Sequence, residues 1–285
     1  MPVRLTILGS GSSGNCAYLE SAESRILIDA GFSLRQIRQR LASIGRSPEE
    51  LTGILVTHEH SDHVHGVGTL SQKLHIPVYW NRPTQETVEY QLHSRLEGRV
   101  FSTGATFEIG DLIIESFTVP HDAQDPVGFM VQTPAGKIGF VTDLGHATRL
   151  VLERVRRANV LVLESNHDIK MLQDCPHRPW SLKQRILSRH GHLSNEAAAD
   201  VAEQIMSADL RHLYLGHISR ECNQPELAHR VVHERLEKIG ATHVRLELTS
   251  QTVPCPTLEL DANGASAAAL PLNLQPAPAF RLEAE

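Results

Sequence analysis

Cysteine is scarce and scattered. Cys16, Cys175, Cys222 and Cys255 are the four among 285 residues, and no two form a C-x-x-C pair. That argues against a disulfide framework and a cysteine-based zinc site, and it fits a reducing cytoplasm. Long hydrophobic runs are lacking too: no apolar stretch approaches the roughly 20 residues that a membrane span needs. The chain opens directly into an apolar stretch over 3–8 that reads as a strand and not as a signal peptide. There is also no excess of basic charge. Twenty-seven Lys+Arg against 33 Asp+Glu give a formal net charge of −6, whereas a dedicated duplex-binding module is normally basic. Tight, non-specific nucleic-acid binding through protein charge alone is thereby disfavoured. A nuclease is not, because bound divalent cations add local positive charge. What remains is a composition of 41% hydrophobic and 21% charged residues, which supports the core of one large domain or two small ones.

The most informative stretch is Thr57-His58-Glu59-His60-Ser61-Asp62-His63. Four potential metal ligands fall within six residues in an H-x-H-x-D-H pattern. A short β-branched apolar run over 54–56 precedes it and reads as a buried strand. Residues 69–74 after it read as a helix, so the ligands are expected on a strand-to-helix loop, where α/β sheets usually place their sites. His58 and His60 can reach one point; Asp62 and His63 can reach a second nearby. Imidazole and carboxylate together suit Zn, Mn or Fe. A fortuitous His-rich tract does not follow a buried strand.

The rest of the chain reads as alternating strands and helices. A strand over 5–8 leads into Gly9-Ser10-Gly11-Ser12-Ser13-Gly14-Asn15. The spacing matches G-x-G-x-x-G, but 16–19 reads as another strand and not a helix, so the dinucleotide fingerprint fails its context test. A tight hairpin is the simpler reading, with Ser13 and Asn15 as candidates for contact near a site. A strand over 25–28 ends at Asp29, and Ser33 caps a helix with Leu34, Ile37, Leu41 and Ile44 on one face. Arg35, Arg38 and Arg40 are assigned to its outer, solvated face. Further helices are expected over 84–96, 150–157, 180–188, 194–206 and from Pro225 to Gly240. Strands are expected over 78–80, 107–109, 112–119, 127–132, 138–141, 160–163, 213–215 and 244–248. Residues 261–285 are rich in Ala and Pro without periodicity and read as a loosely ordered C-terminal tail beyond a single domain over 1–260.

Apolar strands end repeatedly in a metal-capable residue: His58, His121, Asp143 and His217. Scattered surface histidines would not track strand ends, so these four are expected to converge. At this point the chain resembles the metallo-β-lactamase-fold hydrolases over roughly 3–250. The resemblance implies an α/β fold, a four-layer αββα sandwich with the site at the edge between two sheets. It implies one metal on His58, His60 and His121, a second on Asp62, His63 and His217, and Asp143 bridging both. Leu8 to Asn15, Glu164-Ser165-Asn166-His167-Asp168, Gly191-His192-Leu193-Ser194-Asn195 and Leu215 to Ser219 are similar to the YycJ-like (WalJ) group. Membership of that group implies a DNA exonuclease working from the 5′ end. His192, before the ligand-type His217, also resembles the layout of RNase Z. The gap from Asp143 to His192 is too short for the insert domain of the RNase J type, and a long Gly/Pro-rich arm for tRNA is lacking.

Two divalent metals (Zn, Mn or Fe) roughly 3.5–4 Å apart can share a hydroxide, lowering the pKa of water from 15.7 to about 7. Asp62 would orient this nucleophile as well as ligate. A phosphodiester further needs a proton for its leaving alkoxide, for which His192 is the candidate; His167 is a weaker candidate near the substrate. The sequence thus points to a cytoplasmic, metal-dependent phosphodiesterase with DNA as its partner, no membrane association and an open oligomeric state. A thioester or lactone hydrolase of the glyoxalase II or lactonase type, or an RNA-processing nuclease, would share the ligands.

Overall fold

The computed structural model describes residues 2–260 and the short strand at 266–267. Two mixed sheets face each other. The first takes β1 (Val3–Gly9), β2 (Cys16–Glu20), β3 (Arg25–Ile28), β4 (Gly53–Leu55), β5 (Val78–Asn81) and β6 (Gly98–Phe101). The second takes β7 (Thr106–Ile109), β8 (Leu112–Thr118), β9 (Val127–Thr133), β10 (Gly136–Val141), β11 (Val160–Glu164), β12 (His212–Gly216) and β13 (Arg245–Leu248). The chain then returns to the first sheet, where β14 (Leu258–Leu260) and β15 (Ser266–Ala267) extend it beyond β1. The strand orders are β15-β14-β1-β2-β3-β4-β5-β6 and β13-β12-β11-β10-β9-β8-β7. Strands β3 to β6 run parallel, as do β10 to β13.

Residues of both sheets interlock in one core: Leu5, Ile7, Leu19 and Ile26 from the first meet Ile114, Phe129, Val131 and Val160 from the second. The strands are apolar on both faces because each sheet is covered twice. On the outside of the first sheet pack α1 (Leu34–Ser43), α3 (Val67–Leu74) and α4 (Arg82–Leu92), through Ile37, Leu41, Val67, Leu70 and Val88. The short α2 (Ser61–Val64) precedes α3. The outside of the second sheet is covered by α5 (Arg149–Val155), α8 (Asn195–Ile205) and α9 (Pro225–Lys238), through Val151, Val201, Ile205, Val232 and Leu236. Fully burying each such side chain contributes about 1.5–3 kcal/mol. Helices α6 (Ile169–Asp174) and α7 (Trp180–Ile186) lie between β11 and α8 in the chain and form a small cluster of their own with Cys175 and Cys222. The expected four-layer αββα sandwich is the architecture found.

The local departures have physical reasons. The metal-type motif is not all loop: His60 is the N-cap of α2, and Asp62 and His63 sit in its single turn. The helix expected over 84–96 stops at Leu92 because His93 turns left-handed (φ +49°), and Gly98–Phe101 becomes an edge strand. Arg40 is not on a solvated face. It lies over the Phe32 ring at 4.0 Å and donates to the carbonyls of Leu8 (2.5 Å) and Gln251 (3.0 Å), tying α1 to β1 and to the segment before β14. Arg38 pairs with Glu49. Strand β14 went unseen because three residues give too little periodicity. The tail expected from 261 lies outside the described residues except for β15, which pairs antiparallel with β14.

Candidate metal centre

The parallel strands end at one edge of the sandwich, and the residues that follow them turn sharply into the cleft. Asp29 after β3, Asp143 after β10 and His217 after β12 all adopt left-handed backbone, with φ of +58°, +56° and +54°. Asp and His tolerate this region better than most side chains, and strain of this kind concentrates at functional sites. The cleft is closed from one side by backbone contact: a Cβ on Gly31 would lie 1.7 Å from the Asp62 carbonyl oxygen, so only glycine lets α2 seat against the end of β3.

His58, His60 and His121 converge. His60 Nδ1 is 3.1 Å from His58 Nε2 and 3.3 Å from His121 Nε2. Asp62, His63 and His217 form a second set, with Asp62 Oδ2 3.7 Å from His63 Nε2 and 3.4 Å from His217 Nε2. Asp143 touches both: its carboxylate lies 3.0 Å from His63 Nε2 and 3.8 Å from His121 Nε2. All seven ligand-type residues are thus brought together. The donor set fits metal ions on three counts. Each triad has spacings that a single ion can span. The buried Asp143 Oδ2 makes no hydrogen bond among the described residues. Finally, the far nitrogen of four of the histidines is engaged, which leaves the near one as the lone pair. His58 Nδ1 meets Thr57 Oγ1 at 3.0 Å, and that hydroxyl donates in turn to Asp29. His63 Nδ1 meets Asp29 Oδ2 at 2.7 Å, His121 Nδ1 donates to the Gly191 carbonyl at 3.0 Å, and His217 Nδ1 meets Glu164 Oε1 at 2.8 Å.

Asp29, Thr57, Glu164 and the Gly191 carbonyl were not assigned roles from sequence. The signal was there for two of them, since Asp29 and Glu164 end apolar strands as the ligand candidates do. Glu164 is fully buried and accepts four hydrogen bonds: from His192 Nδ1 (2.6 Å), His217 Nδ1 (2.8 Å), Leu193 N (3.0 Å) and Leu144 N (2.9 Å). Asp143, Glu164, His192 and His217 also satisfy the spacing for an ion. With every Glu164 lone pair engaged, however, the carboxylate acts as the brace of two histidines. His192 keeps its other nitrogen free of hydrogen bonds among the described residues, and its ring lines an open pocket.

Protonation follows from this crowding. Burial depresses His58 well below the usual imidazole range, and His63 beside it adds to the effect. Burial also opposes charge on His63 and His217, but the surrounding carboxylates, Asp143 foremost, outweigh it and raise both well above that range. Asp143 is held well below the usual carboxylate range: burial opposes its charge, and His217 and His63 prevail. For Glu164 the same contest, with His192 as chief partner, ends at about 2. His192 is raised, Glu164 overcoming burial. Asp62, Asp143 and Glu164, all held below the usual carboxylate range, therefore demand cations, which metal ions would supply in place of protons.

The other candidates stand further back. Asn15 is buried, and its amide braces the motif, 3.1 Å from His63 Nε2 and 3.4 Å from Asp62 Oδ2, while Ser10 Oγ donates to its oxygen. That Ser10 hydroxyl also accepts the His217 N–H at 2.8 Å, so the 10–15 loop links both sheets at the site. Ser13 is exposed on that loop, with its N–H on Gln251; its neighbour Ser12 is the one lining the pocket beside His192. His167 is 1% exposed, so a substrate cannot reach its ring in this conformation. Burial lowers it to about 4, and its carbonyl accepts the Asn195 N–H at the head of α8.

Residues 24–218 match the beta-lactamase superfamily domain. The chain is 40% identical over 240 residues to exodeoxyribonuclease WalJ of Streptococcus pneumoniae, covering 82% of this chain and 88% of that one. It is 37% identical over 242 residues to exodeoxyribonuclease YycJ of Bacillus anthracis, covering 84% and 91%. Among solved structures, Zn(2+)-bound PqqB from Methylobacterium extorquens superposes with a TM-score of 0.65 at 15% identity, over 88% of this chain and 99% of that one, a likeness of fold. The chain belongs to the β-lactamase superfamily and, within it, to the group of WalJ and YycJ.

Proposed function

We propose that this metallo-hydrolase is a DNA exonuclease that works from the 5′ end with two divalent metal ions. The observation that carries the reading is the Glu164–His192 pair set beside the two ligand triads. An acyl substrate such as a thioester expels a group that leaves unaided, whereas a phosphodiester expels an alkoxide that needs a proton. His192, raised in basicity by a buried carboxylate and with one nitrogen open to the pocket, is built to hold and deliver that proton. The 37–40% identity to exodeoxyribonucleases supports DNA as the substrate.

His58, His60 and His121 would hold one ion, Asp62, His63 and His217 the other, with Asp143 between them. Zn, Mn or Fe bound there would supply an activated water-derived nucleophile and neutralise charge on the phosphoryl oxygens. The chain's own residues do the rest. Asp62 orients the nucleophile from the first turn of α2. Glu164 and Asp29 fix the ring orientation of three histidines. Hydrolysis breaks the P–O3′ bond, adds the oxygen of water to phosphorus, and places the His192 proton on the departing 3′ oxygen. Water's own proton restores the histidine after product release.

The test is the purified, metal-loaded protein on 5′-labelled DNA, 5′-labelled RNA, bis-p-nitrophenyl phosphate and a thioester. Early release of the label from DNA as a mononucleotide is the expected result. Hydrolysis of the thioester without DNA cleavage, or release of the label last, would overturn the reading.

A further inference from the structure

The pocket beside His192 has a cavity volume of about 130 Å³, roughly tenfold the 10–15 Å³ that one water requires. It takes a group of phosphate or sugar size and no base pair. Its wall carries two guanidiniums, Arg178 from the segment before α7 and Arg185 from α7 itself, with Ser12, Ser219 and Asp122 nearby. Each arginine commits only its Nε, Arg178 to Glu221 at 3.0 Å and Arg185 to Asp122. Among the described residues neither guanidinium makes another hydrogen bond, so their terminal N–H groups remain for a ligand. Each guanidinium keeps one carboxylate partner, so what the wall offers a ligand is its uncommitted terminal N–H groups and not net charge. The planar guanidinium fork donates paired N–H groups to two oxygens of a phosphate.

We propose that this pocket receives the sugar-phosphate end of the departing terminal nucleotide, its base remaining outside, and that Arg178 and Arg185 take the 5′-phosphate. The inference rests on the nuclease reading above and deepens it. The leaving oxygen lies against His192, so whatever that oxygen belongs to is directed into the space His192 lines. In cleavage from the 5′ end that is the terminal nucleotide, whose far end is the 5′-phosphate. A chain ending in a hydroxyl would leave the two guanidiniums without their partner, and a continuous strand would have to bend out of the pocket.

The metal-loaded full chain is assayed on two oligodeoxynucleotides of one sequence, one ending in 5′-phosphate and the other in 5′-hydroxyl. We expect kcat/KM to favour the phosphate by roughly 10- to 100-fold, the worth of a charge-assisted contact. Arg178→Ala and Arg185→Ala should each shrink that ratio, and the double variant should bring it close to one. Arg178→Lys should keep part of it. A measurement on the wild-type protein guards against misfolded variants: a deoxynucleoside 5′-monophosphate should compete with substrate, and the matching nucleoside should not. DNA cleavage without phosphate preference, or a preference that survives in the double variant, would overturn the pocket assignment and leave the nuclease reading intact. Absence of cleavage of either oligonucleotide by a protein that hydrolyses the thioester would overturn both.

Discussion

Glu164→Gln is the substitution that separates bracing from mere structure. The carboxylate is fully buried and acceptor-only, with one oxygen facing two imidazole N–H groups and the other two backbone N–H groups. Glutamine has nearly the same shape but replaces one oxygen by a donor. If its NH₂ faces the histidines, two donor–donor contacts arise unless His192 and His217 switch tautomer. The switch moves the proton of His217 to the nitrogen that faces the ligand set and removes its lone pair there. If the NH₂ faces Leu144 and Leu193 instead, the clash falls on backbone N–H groups that cannot switch. Each unsatisfied buried group costs about 1–3 kcal/mol. We therefore expect metal affinity to fall about 10- to 100-fold, as for other partners of ligating histidines. At saturating metal, turnover on DNA should still fall by about 10²–10⁴-fold, the contribution of a general acid, because His192 loses the charge that keeps it protonated. Metal affinity is read by chelator competition and turnover by single-turnover cleavage in excess metal. The pH dependence of stability adds a third readout. Burial opposes its charge, but His192 and His217 hold the folded Glu164 carboxyl down to about 2, against an ordinary 4.5. Its contribution is thus complete above about 4.5 and is lost as pH falls toward 2, and the variant should lack that part of acid unfolding. Wild-type affinity and wild-type turnover together would refute the assigned role.

The remaining predictions are briefer. His192→Ala should lose about 10²–10⁴-fold on DNA but much less on bis-p-nitrophenyl phosphate, whose phenolate leaves unaided; equal losses with intact metal content would mean positioning and not proton transfer. Asp143→Asn should cut turnover by orders of magnitude and reduce metal stoichiometry, measured by elemental analysis after reconstitution; near wild-type values would remove Asp143 from the site. Truncation after Leu260 should leave folding and turnover unchanged, tested by circular dichroism and DNA cleavage; loss of folded protein would show that β15 is needed to cover the β14 edge.

How far the sequence could be read depended on where the relevant information lay. Buried strands were legible because both of their faces pack, so apolar runs such as 160–163 stand out without alternation. Strands β6 and β14 were not, being short and paired at or near an edge where composition is freer. The convergence of the seven ligand-type residues was legible because imidazole and carboxylate at successive strand ends have few other uses. Asn15 was placed near the site for a reason that the structure modifies: its amide faces the buried His63 and the partly buried Asp62 and not an open cleft. Arg40 was misread because periodicity marks a helix face, not what comes to cover it; two distant carbonyls and the Phe32 ring enclose its guanidinium.

The braces were the least legible part, and the reason is general to this fold. A ligand candidate is set by residue type and position along its own strand. A brace is set by which strand lies next to it. Glu164 serves His217 because β11 and β12 pair in parallel, with Glu164 opposite Gly216. It serves His192 because the segment before α8 folds back so that the Leu193 N–H reaches the same carboxylate. Asp29 serves His63 because α2 seats against the end of β3 at Gly31. Each of these depends on neighbours far apart in the chain, which local pattern does not encode. The same logic locates the chemistry: one buried carboxylate couples the orientation of a ligand-type histidine to the basicity of His192. On the proposed reading, metal binding and proton delivery would share a single residue, and that residue should be more sensitive to conservative change than any one of the histidines it holds.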